Sequence, residues 1–184
     1  MTVWTTKRRA KNRYDLTAKL YDKLYAEEQE AKYKAAFQKL SNAPHGLVLD
    51  LGCGSGLLFK HLKGKAQSVV GVDLSRNLLL KAKQEAAGNN VFLVQADADH
   101  LPFFGSLFGV LFAFTVLQNM PKPVETLKET RRVLKPEAHI VVSGLKKAFP
   151  LERFKRILKK AGFQHVSLTP DDSLKCYIAV ASQK

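Results

Sequence analysis

The residues whose types and spacing carry the most chemistry are Asp50, Gly52, Cys53, Gly54 and Gly56, in the segment Val48-Leu49-Asp50-Leu51-Gly52-Cys53-Gly54-Ser55-Gly56. An apolar run ends in an acid, and three glycines follow at alternate positions. Such a run reads as a buried parallel strand. It leads into a turn where glycine accepts positive φ and lets the backbone approach a ligand closely. The helix that follows would aim its free N–H groups at the same place. Two more apolar runs end in acids, Ser68-Val69-Val70-Gly71-Val72-Asp73 and Val91-Phe92-Leu93-Val94-Gln95-Ala96-Asp97. A ligand with a ribose diol, an exocyclic amine and an ammonium needs acceptors, and three strand-end carboxylates in one crevice supply them. Each aspartate alone suits a helix N-cap or a turn, but that does not account for the three together.

The elements that must position these groups alternate along the chain. Residues 15–40 read as helix, with Leu16, Leu20, Leu24, Ala36, Phe37 and Leu40 on apolar spacing. Helices are expected near 56–64, at 75–87 (capped by Ser75 and stopped at Gly88), at 122–134 (between Pro121 and Pro136) and at 150–161 (ended by Gly162). Strands are expected at 68–73, 91–96, 109–115 and 138–143. Two last strands, 163–168 and 174–182, have no helix between them and should pair antiparallel at a sheet edge. The expectation is an α/β fold: a Rossmann-like, doubly wound sheet of seven strands, mostly parallel, with helices on both faces. Residues 1–40 would form a helical lid segment and 41–184 the core of a single domain.

Glycines in the order G-x-G-x-G, with an acid two residues before the first, differ from the G-x-G-x-x-G of dinucleotide folds. With Asp73-Leu74-Ser75, the run from Asp97 through Leu101-Pro102-Phe103, and Arg132-Val133-Leu134-Lys135-Pro136, they make the chain resemble the class I S-adenosylmethionine-dependent methyltransferases, of the small methyltransferase-11-like kind. The resemblance covers roughly residues 12 to 182. It implies S-adenosylmethionine as cofactor, with Asp50, Gly52, Cys53, Gly54 and Gly56 around its methionine part and Asp73 on the ribose hydroxyls. Leu74 would pack on the adenine, Asp97 would take the adenine amine beside Ala98, and the Phe114 carbonyl would face the cofactor. Tyr21 matches an aromatic that closes over the cofactor. Tyr14-Asp15 and Tyr21-Asp22 repeat at seven residues, which puts both tyrosines on one helical face, and packing alone is the competing account.

The acceptor site is expected between the N-terminal helix and the segment after the fourth strand, with Tyr14, Tyr25, Gln118 and Asn119 as its contacts. Gln118 and Asn119 stand where the family often has Glu and His; neutral amides hydrogen-bond but are not strong bases. No catalytic base is assigned. Direct displacement on a sulfonium draws mainly on alignment of the acceptor. Of His45, His61, His100, His139 and His165, only His100 falls near a strand end at the crevice, as a loop residue. Gly109 replaces the family's usual Asp, and Glu137-Ala138 replaces a Gly-Gly turn. Neither cysteine has metal or disulfide spacing, and no metal is expected. No apolar run reaches transmembrane length, so a cytoplasmic protein with no membrane partner is expected, as monomer or small oligomer, with a partner subunit left open.

Charge points to the partner. The chain carries 30 Lys and Arg against 16 Asp and Glu, a formal +14. Residues 41–120 hold 6 basic and 5 acidic side chains, against 10 and 5 in 1–40 and 14 and 6 in 121–184. Basic ends flanking a near-neutral pocket suit a polyanion across its mouth, and RNA, which offers exposed bases, is preferred over duplex DNA. A solvated lysine-rich surface is the alternative. The expected reading is an RNA methyltransferase acting on tRNA or rRNA, with two alternatives: a small-molecule methyltransferase with an apolar or anionic substrate, and a non-catalytic cofactor-binding protein. On the RNA reading, replacing Arg8, Arg9, Arg153 and Arg156 together by Glu weakens tRNA binding in a filter or gel-shift assay and leaves cofactor affinity unchanged.

Overall fold

The computed structural model describes residues 2–40, 46–169 and 171–183; His45 lies outside them. Seven strands form one sheet: β1 (Leu47–Leu51), β2 (Ser68–Asp73), β3 (Val91–Gln95), β4 (Phe108–Ala113), β5 (Leu134–Leu145), β6 (Phe163–Leu168) and β7 (Cys176–Gln183). Their order is β3-β2-β1-β4-β5-β7-β6. The first five are parallel, and β7 runs antiparallel to both β5 and β6. The expected sheet is present, with one refinement: β7 is interior and β6 is the edge. Strand order reverses between β1 and β4, so a crevice opens at their carboxyl ends.

Side-chain alternation builds a core on each face. Leu49, Leu51, Val70, Val72, Leu111 and Ala113 point one way, against Leu127 and Val133 of α5 (Pro123–Val133) and Phe154 and Leu158 of α6 (Leu151–Lys160). Val48, Val69, Val110 and Phe112 point the other way. There they meet Tyr33 and Ala36 of α2 (Tyr21–Lys39), Phe59 and Leu62 of the single turn α3 (Phe59–Leu62), and Ala82 of α4 (Arg76–Ala86). Two such layers make the doubly wound architecture. Ser75 caps α4 as its position suggests, its side chain accepting from the Leu78 N–H.

Four expectations need correction. The helix expected at 56–64 is only α3, because Gly52, Gly54 and Gly56 all adopt positive φ and delay helical geometry until Leu58. The helix expected at 15–40 begins earlier, as α1 (Val3–Thr17), and reaches α2 through a 3-10 turn at Ala18–Leu20. The segment around Val133-Leu134-Lys135-Pro136 closes α5 at Val133, and β5 starts at once at Leu134. Most informative, Leu16, Leu20 and Leu24 do not face the core: they are 86%, 56% and 56% exposed. The inward face of this rod lies over a polar crevice, so it is occupied by Lys7, Ala18, Tyr21, Gln29 and Lys32 instead.

The two departures from the family pattern are visible locally. Gly109 sits at a register shift between Phe108 and Val110 in the β4–β5 pairing. Glu137 keeps a left-handed backbone at φ 62°, a conformation glycine adopts without a steric penalty. Glu137→Gly is therefore expected to raise unfolding free energy by about 1 kcal/mol or less, the relieved strain being partly offset by greater freedom of the unfolded chain; denaturant titration measures it.

Candidate active site

The crevice at the ends of β1, β2 and β4 opens to solvent and holds a free cavity volume of about 90 Å³. Its floor is the glycine turn. Gly52 has φ +69°, and a β-carbon there would lie 2.5 Å from Val116 Cγ2, so no side chain fits. Gly54 faces the Tyr21 ring at 3.5 Å. Gly56 does not line the crevice; the Phe59 ring fills the place of its missing β-carbon at 2.6 Å, which makes it a packing residue.

The amide donors of this turn are spent inside the protein. Gly52 and Cys53 N–H both donate to the Val72 carbonyl, at 2.7 and 3.0 Å, and Gly56 N–H donates to the Cys53 carbonyl at 3.0 Å. Gly54 N–H donates to Asp73 Oδ2 at 2.9 Å. A phosphate cradle needs such groups free. Asp73 and Asp97 line the crevice, the latter paired with Lys7, so the site offers acceptors to a donor-rich ligand and no backbone cradle to a phosphate. The expectation that the following helix would present free N–H groups fails as well, since α3 is a single turn.

The three strand-end acids are held differently. Asp50 is buried beneath the turn and its Oδ2 has no hydrogen-bond partner; burial, and then the charge of Asp73, push its pKa up to about 8. Asp73 accepts from Gly54 N–H and from Ser75 N–H at 2.7 Å; burial raises its pKa despite those bonds. Asp97 takes both its oxygens to Lys7 Nζ, at 2.6 and 2.8 Å, and Asp99 pairs with the same ammonium. Lys7 is thus not part of a solvated basic cluster. It is buried, and it pins α1 across the crevice.

The N-terminal rod forms the roof. Asp15 accepts from Ser75 Oγ and from Asn77 N–H, and Asp22 pairs with Lys81 and accepts from Ser55. These bonds seat Tyr14 and Tyr21 over the turn, their rings 6.0 Å apart edge to face, with Tyr25 5.0 Å from Tyr21. Of the residues expected at the cofactor, Tyr21, Gly52, Gly54, Asp73, Leu74, Asp97, Ala98 and Phe114 line the crevice. Asp50 and Cys53 lie beneath it, both buried.

A second chamber opens beside the first and shares Tyr14, Tyr21, Thr115 and Asn119 with it. All four residues expected at the acceptor, Tyr14, Tyr25, Gln118 and Asn119, line it. Asn119 Nδ2 donates to the Tyr14 hydroxyl at 3.1 Å and to the Thr115 carbonyl at 2.9 Å, while Arg13 donates to Asn119 Oδ1 at 3.0 Å. Among the chamber's other polar members, Glu28 and Gln29 belong to a polar-aromatic stripe legible in the sequence with Tyr25 and Tyr33, whereas Thr115 and Lys32 were missed. Thr115 has φ 62°, a true outlier for a β-branched residue. Its hydroxyl accepts from Gln29 at 3.2 Å and Lys32 at 3.1 Å. Gln29 Oε1 and Gln118 Oε1 are buried without partners, which leaves two acceptors for a ligand. Glu28 pairs with Lys32 at 2.8 Å; burial raises its pKa, but Lys32 and Lys175 outweigh that and hold it below the usual carboxylate range. The signal for Gln29 and Lys32 was their helical spacing from Tyr21 and Tyr25, on the inward face. His100 is an exposed loop residue, as expected.

Comparison with known proteins agrees with this geometry. Residues 49–142, about half the chain, match the family described as "Methyltransferase domain", and the chain belongs to the class I S-adenosylmethionine-dependent methyltransferase family. It is 32% identical over 134 residues to an uncharacterized methyltransferase, YodH, of Bacillus subtilis (strain 168), covering 71% of this chain and 57% of that protein. It is 33% identical over 132 residues to the demethylmenaquinone methyltransferase of Staphylococcus aureus (strain MRSA252), covering 67% and 55%. The chain thus spans about half the length of the curated relatives it matches. The fold is shared, at 17% identity and a TM-score of 0.79, with a putative methyltransferase from Haloferax volcanii solved in complex with the Trm112 methyltransferase activator, over 92% of this chain and 96% of that one.

S-adenosylmethionine is the cofactor of this family, and the residues present fit it. Asp50, with its orphaned oxygen, would answer the ammonium; Asp73 would face the ribose diol; Asp97, with lone pairs left beside Lys7, would face the adenine amine. Because the pKa of Asp50 in the folded chain lies far above the unfolded value of 3.8, its proton stabilises the free protein fully only below that value, and this contribution is lost as pH rises through about 8. An ammonium beside it reverses the preference. Affinity for S-adenosylmethionine is therefore expected to rise with pH up to about 8, with release of a proton. Calorimetry in two buffers of different ionisation enthalpy detects that proton, and Asp50→Asn should weaken binding and abolish its release.

Proposed function

We propose that this chain is an S-adenosylmethionine-dependent methyltransferase whose acceptor is a small apolar or anionic molecule held in the second chamber. The observation that carries this reading is the pair of chambers with a shared wall: an aromatic-lined, partly polar cavity meets the cofactor crevice at Tyr14, Tyr21, Thr115 and Asn119. The cofactor, when bound, supplies an electrophilic methyl on a sulfonium. The protein's task is to hold the acceptor in line with it. Tyr14, Tyr21 and Tyr25 offer ring faces to an apolar acceptor. Arg13 and Lys32, against Glu28 alone, leave the lining net positive by one charge among the described residues, which favours a phenol or carboxylic acid reacting as its anion. Glu28, held below the usual carboxylate range by its lysines, is ionised but a weak base, so the chamber suits an acceptor that arrives already ionised. The names of two relatives, demethylmenaquinone methyltransferase and malonyl-[acyl-carrier protein] O-methyltransferase, are consistent with acceptors of these kinds.

Transfer to tRNA or rRNA is the second reading. It is favoured by the exposed Arg156, Lys159 and Lys160 of α6 and by the overall +14. The fold neighbour's complex with the Trm112 activator raises a partner subunit for this chain. Against the RNA reading, several cations of the sequence's basic clusters are internally paired. Lys7 is buried with Asp97 and Asp99, Lys11 pairs with Asp15, and Arg132 with Glu129. The deciding experiment incubates the protein and radiolabelled S-adenosylmethionine with a total-cell extract, then separates RNA, protein and small-molecule fractions. Label in the organic-soluble fraction is expected. Label confined to undermodified RNA would replace the small-molecule reading by the second.

A further inference from the structure

The N-terminal rod is amphipathic in the inverse sense to an ordinary surface helix. Its polar side faces the protein, where Lys7, Asp15, Asp22 and Lys32 find ionic and hydrogen-bond partners. Three of its leucines face solvent: Leu16 near the end of α1 is 86% exposed, and Leu20 in the 3-10 turn and Leu24 in the first turn of α2 are 56% each. Recurring every fourth residue, they form a stripe of exposed apolar side chains through this stretch.

Charge accompanies the stripe. Residues 2–24 carry seven Lys and Arg against two Asp. Asp15 and Asp22 are bonded to Ser75, Ser55 and Lys81, and the next exposed carboxylate is Glu27, one turn beyond Leu24. Exposed Arg8, Lys19 and Lys23 flank the leucines. Nucleic acid would use the cations but has no use for three exposed leucines beside them. A bilayer uses both, with apolar side chains entering the acyl boundary and long basic side chains reaching back to phosphates.

We propose that the outer face of the end of α1, the 3-10 turn and the start of α2 docks on an anionic lipid bilayer, with Leu16, Leu20 and Leu24 as the inserting residues. The sequence alone suggested no membrane partner, because no run is long enough to span one. Surface docking needs no span, and the stripe became visible only when the leucines proved to face outward. The proposal stands independently of which acceptor the enzyme methylates.

The test is flotation of the full chain with vesicles of phosphatidylcholine containing phosphatidylglycerol, beside pure phosphatidylcholine vesicles. Binding to the anionic vesicles, its loss at high salt and its absence on neutral vesicles are expected. Leu16→Ser, Leu20→Ser and Leu24→Ser combined should weaken binding by more than about tenfold, with melting temperature unchanged because these side chains contact little of the fold. Equal binding by the triple variant would overturn the proposal, since charge alone would then suffice. Failure of the native chain to float on any vesicle would also overturn it. In that event light scattering would assign the stripe to a second copy if the native chain dimerises and the triple variant does not, and to another protein if both are monomers.

Discussion

Burial of carboxylates at the carboxyl ends of β1, β2 and β3 is the constraint around which the rest of this molecule is arranged. Asp50, Asp73 and the Asp97–Asp99 pair converge on one crevice, and each has a different remedy. Asp73 accepts two backbone N–H bonds, Asp97 and Asp99 share a buried ammonium, and Asp50 has neither and so holds a proton well above the ordinary range. The turn between β1 and α3 contributes to this scheme by giving its amides to Val72 and Asp73. Carboxyl oxygens are thereby gathered where a donor-rich ligand belongs, while most of their charge is relieved by a proton or an ammonium until that ligand arrives.

The roof follows from the same constraint. A helix laid over acids must offer them cations and hydroxyls, so α1 turns Lys7, Lys11 and Tyr14 to the crevice. Once a helix commits its polar side inward, its apolar residues have only solvent left. The exposed leucines are thus the geometric counterpart of the buried lysines. Only beyond Gln29, where α2 passes from the crevice onto the sheet, do Tyr33, Ala35 and Ala36 restore an ordinary apolar interface.

Strands and their terminal acids were legible because a parallel strand buried on both faces reads as an unbroken apolar run, as at Val48–Leu51 and Val69–Val72. Ser75 and Gly162 marked helix ends because their chemistry is local: an oxygen for an orphan N–H and a residue that takes φ of 90° at no cost. Tyr14, Tyr21 and Tyr25 were legible by helical spacing. What was not legible depends on partners far along the chain. Lys7 looks like part of a basic tail until Asp97, ninety residues on, is seen beside it. Leu16 looks like core until the surface beneath α1 proves polar. The interior place of β7 depends on pairing with β5, and the backbone of Thr115 depends on Ser143, Gln29 and Lys32 all at once.

The wall shared by the two chambers limits how such a protein can diverge. A substitution at Tyr14, Thr115 or Asn119 is felt on both sides, so drift there risks the ligand common to every member of the family. Change is less constrained at side chains that touch only the second chamber, among them Tyr25, Glu28, Gln29, Lys32 and Cys176. Four of these five lie within two turns of α2. A short stretch of one helix therefore holds most of the freedom to acquire a new acceptor, while the crevice beside it stays the same.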